Sequence, residues 1–150
     1  MPDQQFVGLF LLLAGLIVGL GAVTVIDLLG FLGRKSSYWT ESTIRTHKVT
    51  KPLIWLGLTL TLIGGGLFYA SAGFSSFFGW QVAILAVLIL NGCFLSFSIS
   101  PRLIQQEKEG RSAELLPKAM QQQIILSFLI SFTGWWSTVG LTAWYLSSKF

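Results

Sequence analysis

Residues 52–100 read PLIWLGLTLTLIGGGLFYASAGFSSFFGWQVAILAVLILNGCFLSFSIS, and no charged residue falls between Lys51 and Arg102. About 20 apolar residues suffice to carry a helix across the roughly 30 Å of hydrocarbon in a bilayer. The stretch is too long for one crossing. It breaks at Gly73-Phe74-Ser75-Ser76-Phe77-Phe78-Gly79, where glycine and serine supply a tight turn. It therefore predicts a membrane hairpin, with spans at about 53–72 and 80–99.

Working outward, two more apolar runs meet the same criterion, at about 6–32 and 123–146. The expected fold class is all-α: a polytopic membrane four-helix bundle, residues 1–150 forming a single transmembrane domain with connecting loops at 33–52 and 100–122. Composition agrees. The chain is 53% hydrophobic and 11% charged, against about a quarter charged in soluble domains. The net charge of +4 does not imply nucleic acid, because the basic residues flank apolar spans and build no basic face. The start, Met1-Pro2-Asp3-Gln4-Gln5, lacks the positive region of a cleaved signal peptide.

Charge placement predicts orientation. Arg34, Lys35, Arg45, Lys48 and Lys51 lie between spans one and two. Arg102, Lys108, Arg111 and Lys118 lie between spans three and four. Lysine and arginine accumulate on the cytoplasmic side, so both loops are expected there and both termini on the non-cytoplasmic side of a cell (inner or plasma) membrane. Phe77, Phe78, Trp80, Trp144 and Tyr145 fall where a far-side aromatic belt belongs, with Tyr38, Trp39 and Trp55 at the cytoplasmic boundary. Within the first loop, Thr40 is expected to cap a helix whose first turn holds Glu41, with Glu41 and Arg45 spaced to pair. Pro52 is expected to bend or restart that helix. Pro101 follows span three, Glu107 is spaced to pair with Arg111, Gly110 is a stop and Pro117 a first-turn residue of span four.

In lipid, helices associate through small residues that let backbones approach. Gly15 and Gly19 form a small-xxx-small pair in span one, Gly64, Gly65 and Gly66 fall in span two, and Ser127, Ser131, Gly134 and Ser137 lie near one stripe of span four. These glycine faces are the expected packing surfaces and the expected contacts between copies.

Few polar residues enter the spans. Asp27 is the sharpest, since an ionisable group at that depth normally faces the bundle interior and marks either a helix-to-helix bond or a proton, cation or ligand site. Asn91, near the middle of span three, is expected to tie helices together and is within plausible reach of Asp27. His47, the one histidine, is expected at the mouth of span two among Arg45, Lys48 and Lys51, either solvated or serving as a haem or proton ligand. Cys93 lies in an apolar run and, being the one cysteine, excludes an intrachain disulfide. No nucleotide loop, zinc-protease motif or nucleophile elbow occurs, so the sequence offers no catalytic residue and no metal site.

Gly21-Ala22-Val23-Thr24-Val25-Ile26-Asp27, Ile54-Trp55-Leu56-Gly57, Leu90-Asn91-Gly92 before Pro101-Arg102-Leu103, and Ser131-Phe132-Thr133-Gly134-Trp135-Trp136 together resemble a group of small, uncharacterised four-span prokaryotic integral membrane proteins. That group is distantly similar to the copper-resistance-D-like and protoporphyrinogen-oxidase-like helical bundles. The resemblance implies a four-helix bundle. Its better-known relatives hold haem or copper with histidines in their first spans, where this sequence has none, so no ligand carries over.

The leading functional expectation is a non-enzymatic integral membrane protein, a subunit or assembly component of a membrane complex, contacting the lipid bilayer and either further copies of itself as a homo-oligomer or other membrane protein subunits. Two alternatives stand beside it: a haem- or redox-linked protein using His47, and a small proton-coupled transporter built as an oligomer around Asp27 and Asn91.

Overall fold

The computed structural model describes residues 2–149. Four helices carry the chain: α1 (Pro2–Leu32), α2 (Ser37–Ala72), α3 (Ser76–Lys108) and α4 (Lys118–Ser147). All four are long and apolar enough to cross a membrane, and no strand occurs among the described residues. At 1.5 Å per residue each runs about 45–55 Å, longer than the roughly 30 Å of hydrocarbon.

The helix ends depart from the hydropathy boundaries for identifiable reasons. α2 begins at Ser37, so Glu41, Arg45, Lys48 and Lys51 sit on a continuous helix. Thr40 does not cap it. The Ser36 backbone takes the cap position, while Thr40 Oγ1 donates to Gly33 O at 2.7 Å and Ser36 O at 3.0 Å, locking the α1–α2 turn. Pro52 lies inside α2 without ending it. Pro101 likewise lies inside α3. Proline offers no N–H to the helical ladder, and just before it residues Leu95–Ile99 widen into a π turn, with Ser100 N–H donating to Leu95 O. The turn between α2 and α3 occupies residues 73–75, with Gly73 at φ 93°. Pro117 precedes the first residue of α4.

The α1–α2 pair is the closest in the bundle, and glycine explains it. An ideal Cβ on Gly15 would lie 2.5 Å from Thr61 N, one on Gly57 2.5 Å from Gly19 Cα, and one on Gly64 would overlap the Leu12 backbone. A Cβ on Gly19 would also collide with the Trp135 ring of α4. Gly15, Gly19 and Gly64 are therefore consumed within the chain and do not face outward toward another copy. Gly65 only brushes Leu12, at 3.9 Å, and Gly66 is off the seam, with nothing within 4 Å.

Two apolar clusters fill the interior. The larger joins Leu12, Leu16, Val23, Leu58, Leu85, Leu88 and Trp135 to an aromatic box of Phe68, Tyr69 and Tyr145. In that box Tyr69 and Tyr145 stand edge to face at 5.1 Å and Phe77 meets Tyr145 at 5.7 Å. The smaller, toward the basic loops, joins Ile44, Ile99, Leu103 and Met120. Lys48 pairs with Glu107 across α2 and α3 at 2.7 Å, while Arg111 pairs with Glu109 and Glu114 and not with Glu107.

Candidate functional site

Between the two clusters lies a cavity of about 70 Å³ walled by all four helices. Ile26, Asp27 and Gly30 come from α1; Thr43, His47, Lys51, Ile54 and Trp55 from α2. α3 adds Gly92, Leu95, Ser96, Ile99 and Leu103, and α4 adds Ile124 and Ser127. Three of the five residues of the π turn are in this wall, so the widened helix shapes the void. It exceeds the roughly 10–15 Å³ needed to admit one water and has room for a few.

The register of the α1–α2 pair sets the two titratable side chains opposite each other. Gly19 meets Gly57 at one point and Gly33 meets Thr40 at another. Counting between these contacts places Asp27 level with His47. Asp27 Oδ2 and His47 Nε2 are both buried without a hydrogen-bond partner, and both residues line the same cavity. Thr61, Tyr69, Ser75 and Gln81 also carry an unpartnered buried atom, but these are neutral and none lines this cavity. Lys51 adds a positive charge; its Nζ reaches Ser100 Oγ at 3.4 Å, a long bond. The Trp55 ring is held by Nε1 donating to Ser96 Oγ at 3.2 Å.

Asn91 is placed elsewhere. Its Nδ2 donates to Ser127 O at 3.1 Å and Ser131 Oγ at 2.8 Å, and its Oδ1 accepts from Ser127 Oγ at 2.9 Å. These bonds join α3 to α4, so Asn91 does not bond to Asp27. The stripe expected on α4 does face inward at Ser127, Ser131 and Gly134, but Ser137 is exposed and Thr138 takes the buried place. Farther along the same interface Gln81 Nε2 donates to Thr142 Oγ1 at 3.1 Å. Sequence reasoning missed Gln81, although it is the one amide in the apolar stretch of α3 before Asn91. Lys51 and Trp55, expected at the cytoplasmic boundary, also line the cavity.

The larger cluster, with Val23, Leu58, Leu88 and Trp135, closes the cavity toward the aromatic end. Toward the basic loops it shares Gly30, Thr43 and Ile124 with a narrow groove of about 10 Å³ that is also lined by Gly33, Thr40 and Arg34. Haem does not fit the arrangement. The chain supplies one imidazole, its Nε2 is buried inside the bundle, and the space before it holds a few waters' volume. Among the described residues no cluster of three or more His, Cys, Asp or Glu is placed to hold a metal ion. Comparison with protein-family models, with curated proteins and with solved structures found no match to the chain.

Proposed function

We propose that this protein is a non-enzymatic multi-pass protein of the cell's plasma (inner) membrane that binds a small polar molecule inside its bundle, loading it from the cytoplasmic side. The observation that carries the reading is that Asp27 and His47, each with a buried side-chain atom left without a hydrogen-bond partner, line one cavity. An ionisable group kept in a bundle for structure alone is expected to be paired, as Asn91 is hydrogen-bonded on both its amide atoms. Orientation rests on nine of the ten basic residues lying in or beside the two segments at one end, which puts the groove at Arg34 on the cytoplasmic face and both termini outside. The closed core beyond the cavity favours a bound ligand over a permeant one in this conformation, so the transporter alternative requires a rearrangement of Val23, Leu58 and Trp135.

Cysteine labelling tests this. On a Cys93→Ala background, Lys35→Cys should react with a charged, membrane-impermeant thiol reagent in inverted vesicles, and Lys149→Cys in right-side-out ones. Thr43→Cys, inside the shared wall of cavity and groove, should label in inverted vesicles alone. Equal labelling of Thr43→Cys from the outside, or Lys35→Cys reacting from the outside, refutes the reading.

A further inference from the structure

An acidic and a basic side chain line the cavity and do not pair. Asp27 and Lys51 both contribute to its wall, yet among the described residues no ion pair joins them. Other nearby cations do not neutralise Asp27 either. Arg45 pairs with Glu41 on its own helix, Lys48 with Glu107 of α3, and Arg34 stacks on the Phe31 ring at the end of α1. No further Asp, Glu, Lys, Arg or His faces the cavity from α3 or α4, where Ser96 and Ser127 are the polar wall residues. An acid whose Oδ2 has no hydrogen-bond partner and an ammonium with one long bond, to Ser100 Oγ, in the wall of one largely apolar void are each costly unless something polar lies against them.

Resting on the reading that the cavity is a binding site, we propose that its ligand is a small zwitterion, a short aliphatic amino acid with one ammonium and one carboxylate. The ammonium lies between the Asp27 carboxylate and His47 Nε2, which as a neutral imidazole accepts an N–H. The carboxylate meets Lys51 Nζ, about one helical turn along α2 from His47. The aliphatic part rests on Ile54, Trp55 and Ile99. Charge decides the class. A simple cation is repelled by Lys51 within the wall and by Arg34 at the mouth, a simple anion by Asp27, and an uncharged solute leaves both charges unmatched. Size narrows the class: a cavity of about 70 Å³ favours the smallest zwitterions, glycine, alanine or β-alanine, over those with long side chains.

The test uses the full chain in nanodiscs of phosphatidylcholine, with equilibrium binding of radiolabelled glycine, alanine and β-alanine, and with methylammonium and acetate as single-charge competitors. At least one zwitterion should bind saturably, and neither competitor should displace it at equal concentration. Asp27→Asn and Lys51→Gln should each weaken binding about tenfold or more, while Lys51→Arg keeps most of it. If Asp27→Asn fails to fold, Lys51→Gln and the competitor comparison on the native chain decide. Absence of saturable binding by all three zwitterions, in protein whose Thr43→Cys variant still labels from the cytoplasmic side, overturns the zwitterion and leaves the binding-site reading standing. Methylammonium or acetate binding as tightly as the zwitterions overturns it too. Failure of the one-sided labelling would instead remove the reading beneath it.

Discussion

Replacing Gly57 by alanine puts a carbon where the structure has a neighbouring backbone. The added Cβ would lie 2.5 Å from Gly19 Cα, 2.6 Å from Gly19 N and 2.9 Å from Gly15 O. Carbon atoms rest at about 3.5–4.0 Å, so α1 and α2 must part by about 1 Å at this level. Backbone cannot rotate away as a side-chain tip can. Separation here also loosens the contacts at Gly15–Thr61 and Gly8–Phe68 on the same seam. Overpacking of this kind costs about 1–3 kcal/mol, partly offset by the 0.5–1 kcal/mol or so that alanine gains over glycine within a helix. The net expectation is a loss of about 1–2 kcal/mol.

Gly66→Ala is the internal control. It sits farther along the same helix, where an added Cβ meets nothing within 4 Å, and should be neutral or stabilising by up to about 1 kcal/mol. The two variants should therefore differ by about 2 kcal/mol. The assay is unfolding of the purified protein in mixed micelles by increasing dodecyl sulfate, followed by tryptophan fluorescence and circular dichroism. If Gly57→Ala and Gly66→Ala unfold together, the glycine seam does not hold α1 to α2 and the register that sets Asp27 against His47 loses its basis.

Asn91→Leu should cost about 1–2 kcal/mol in the same assay, since it removes the α3–α4 hydrogen bonds to Ser127 and Ser131; a double-mutant cycle with Ser131→Ala should show coupling, and strict additivity would refute the bond. Glu109, beside Arg111 and outside the spans, is held below the ordinary glutamate range by hydrogen bonds from Arg111 and Gln105 and by the Arg111 charge. With its folded value depressed, whatever this contact adds to loop order is present above the usual glutamate range and is lost as pH falls through the depressed value. Carbon-13 NMR of the glutamate carboxyls should show Glu109 titrating low and moving back up in Arg111→Gln; an unchanged midpoint would dismiss the contact.

The four long apolar helices were legible because hydrocarbon does not solvate charge, and a run as long as residues 52–101 without Asp, Glu, Lys or Arg is rarely tolerated outside a bilayer. The extra helical turns were not, for the opposite reason. Glu41, Arg45, Lys48 and Lys51 make residues 37–51 look like a loop to any hydropathy window, although their side chains occupy the outer and cavity-facing positions of a continuous helix. Pro52 and Pro101 read as boundaries, yet both are absorbed in helix interiors, the second beside a π turn. Asp27 and His47 were each visible as residues that hydrocarbon makes conspicuous. Their place in one cavity wall was not, because it depends on an antiparallel register fixed by backbone contacts at Gly15, Gly57 and Gly64. Depth alone suggests Asp27 as a partner for Asn91, but α3 is apolar nearly all round and its sequence does not say which way the amide points.

That same register explains why the cavity does not collapse. α1 and α2 touch closely on both sides of the Asp27–His47 level, at Gly19–Gly57 toward the core and at Gly33–Thr40 toward the basic end, where an added Cβ would lie 3.2 Å from the Thr40 backbone. Between two such pins neither helix can slide or tilt to bring the carboxylate and the imidazole together without breaking a contact at one of them. On the opposite wall, Trp55 stands against Gly92 and Ser96 and the π turn widens α3, so that helix is propped outward at the same height. A void in a packed interior is destabilising, and one walled by charge is more so. Here the surrounding contacts over-determine the backbone and leave Asp27 and His47, each with an unpartnered buried atom, in the wall of a space that the protein's own side chains do not fill, which is the condition for a preformed site in which affinity is not spent on closing the helices around the ligand.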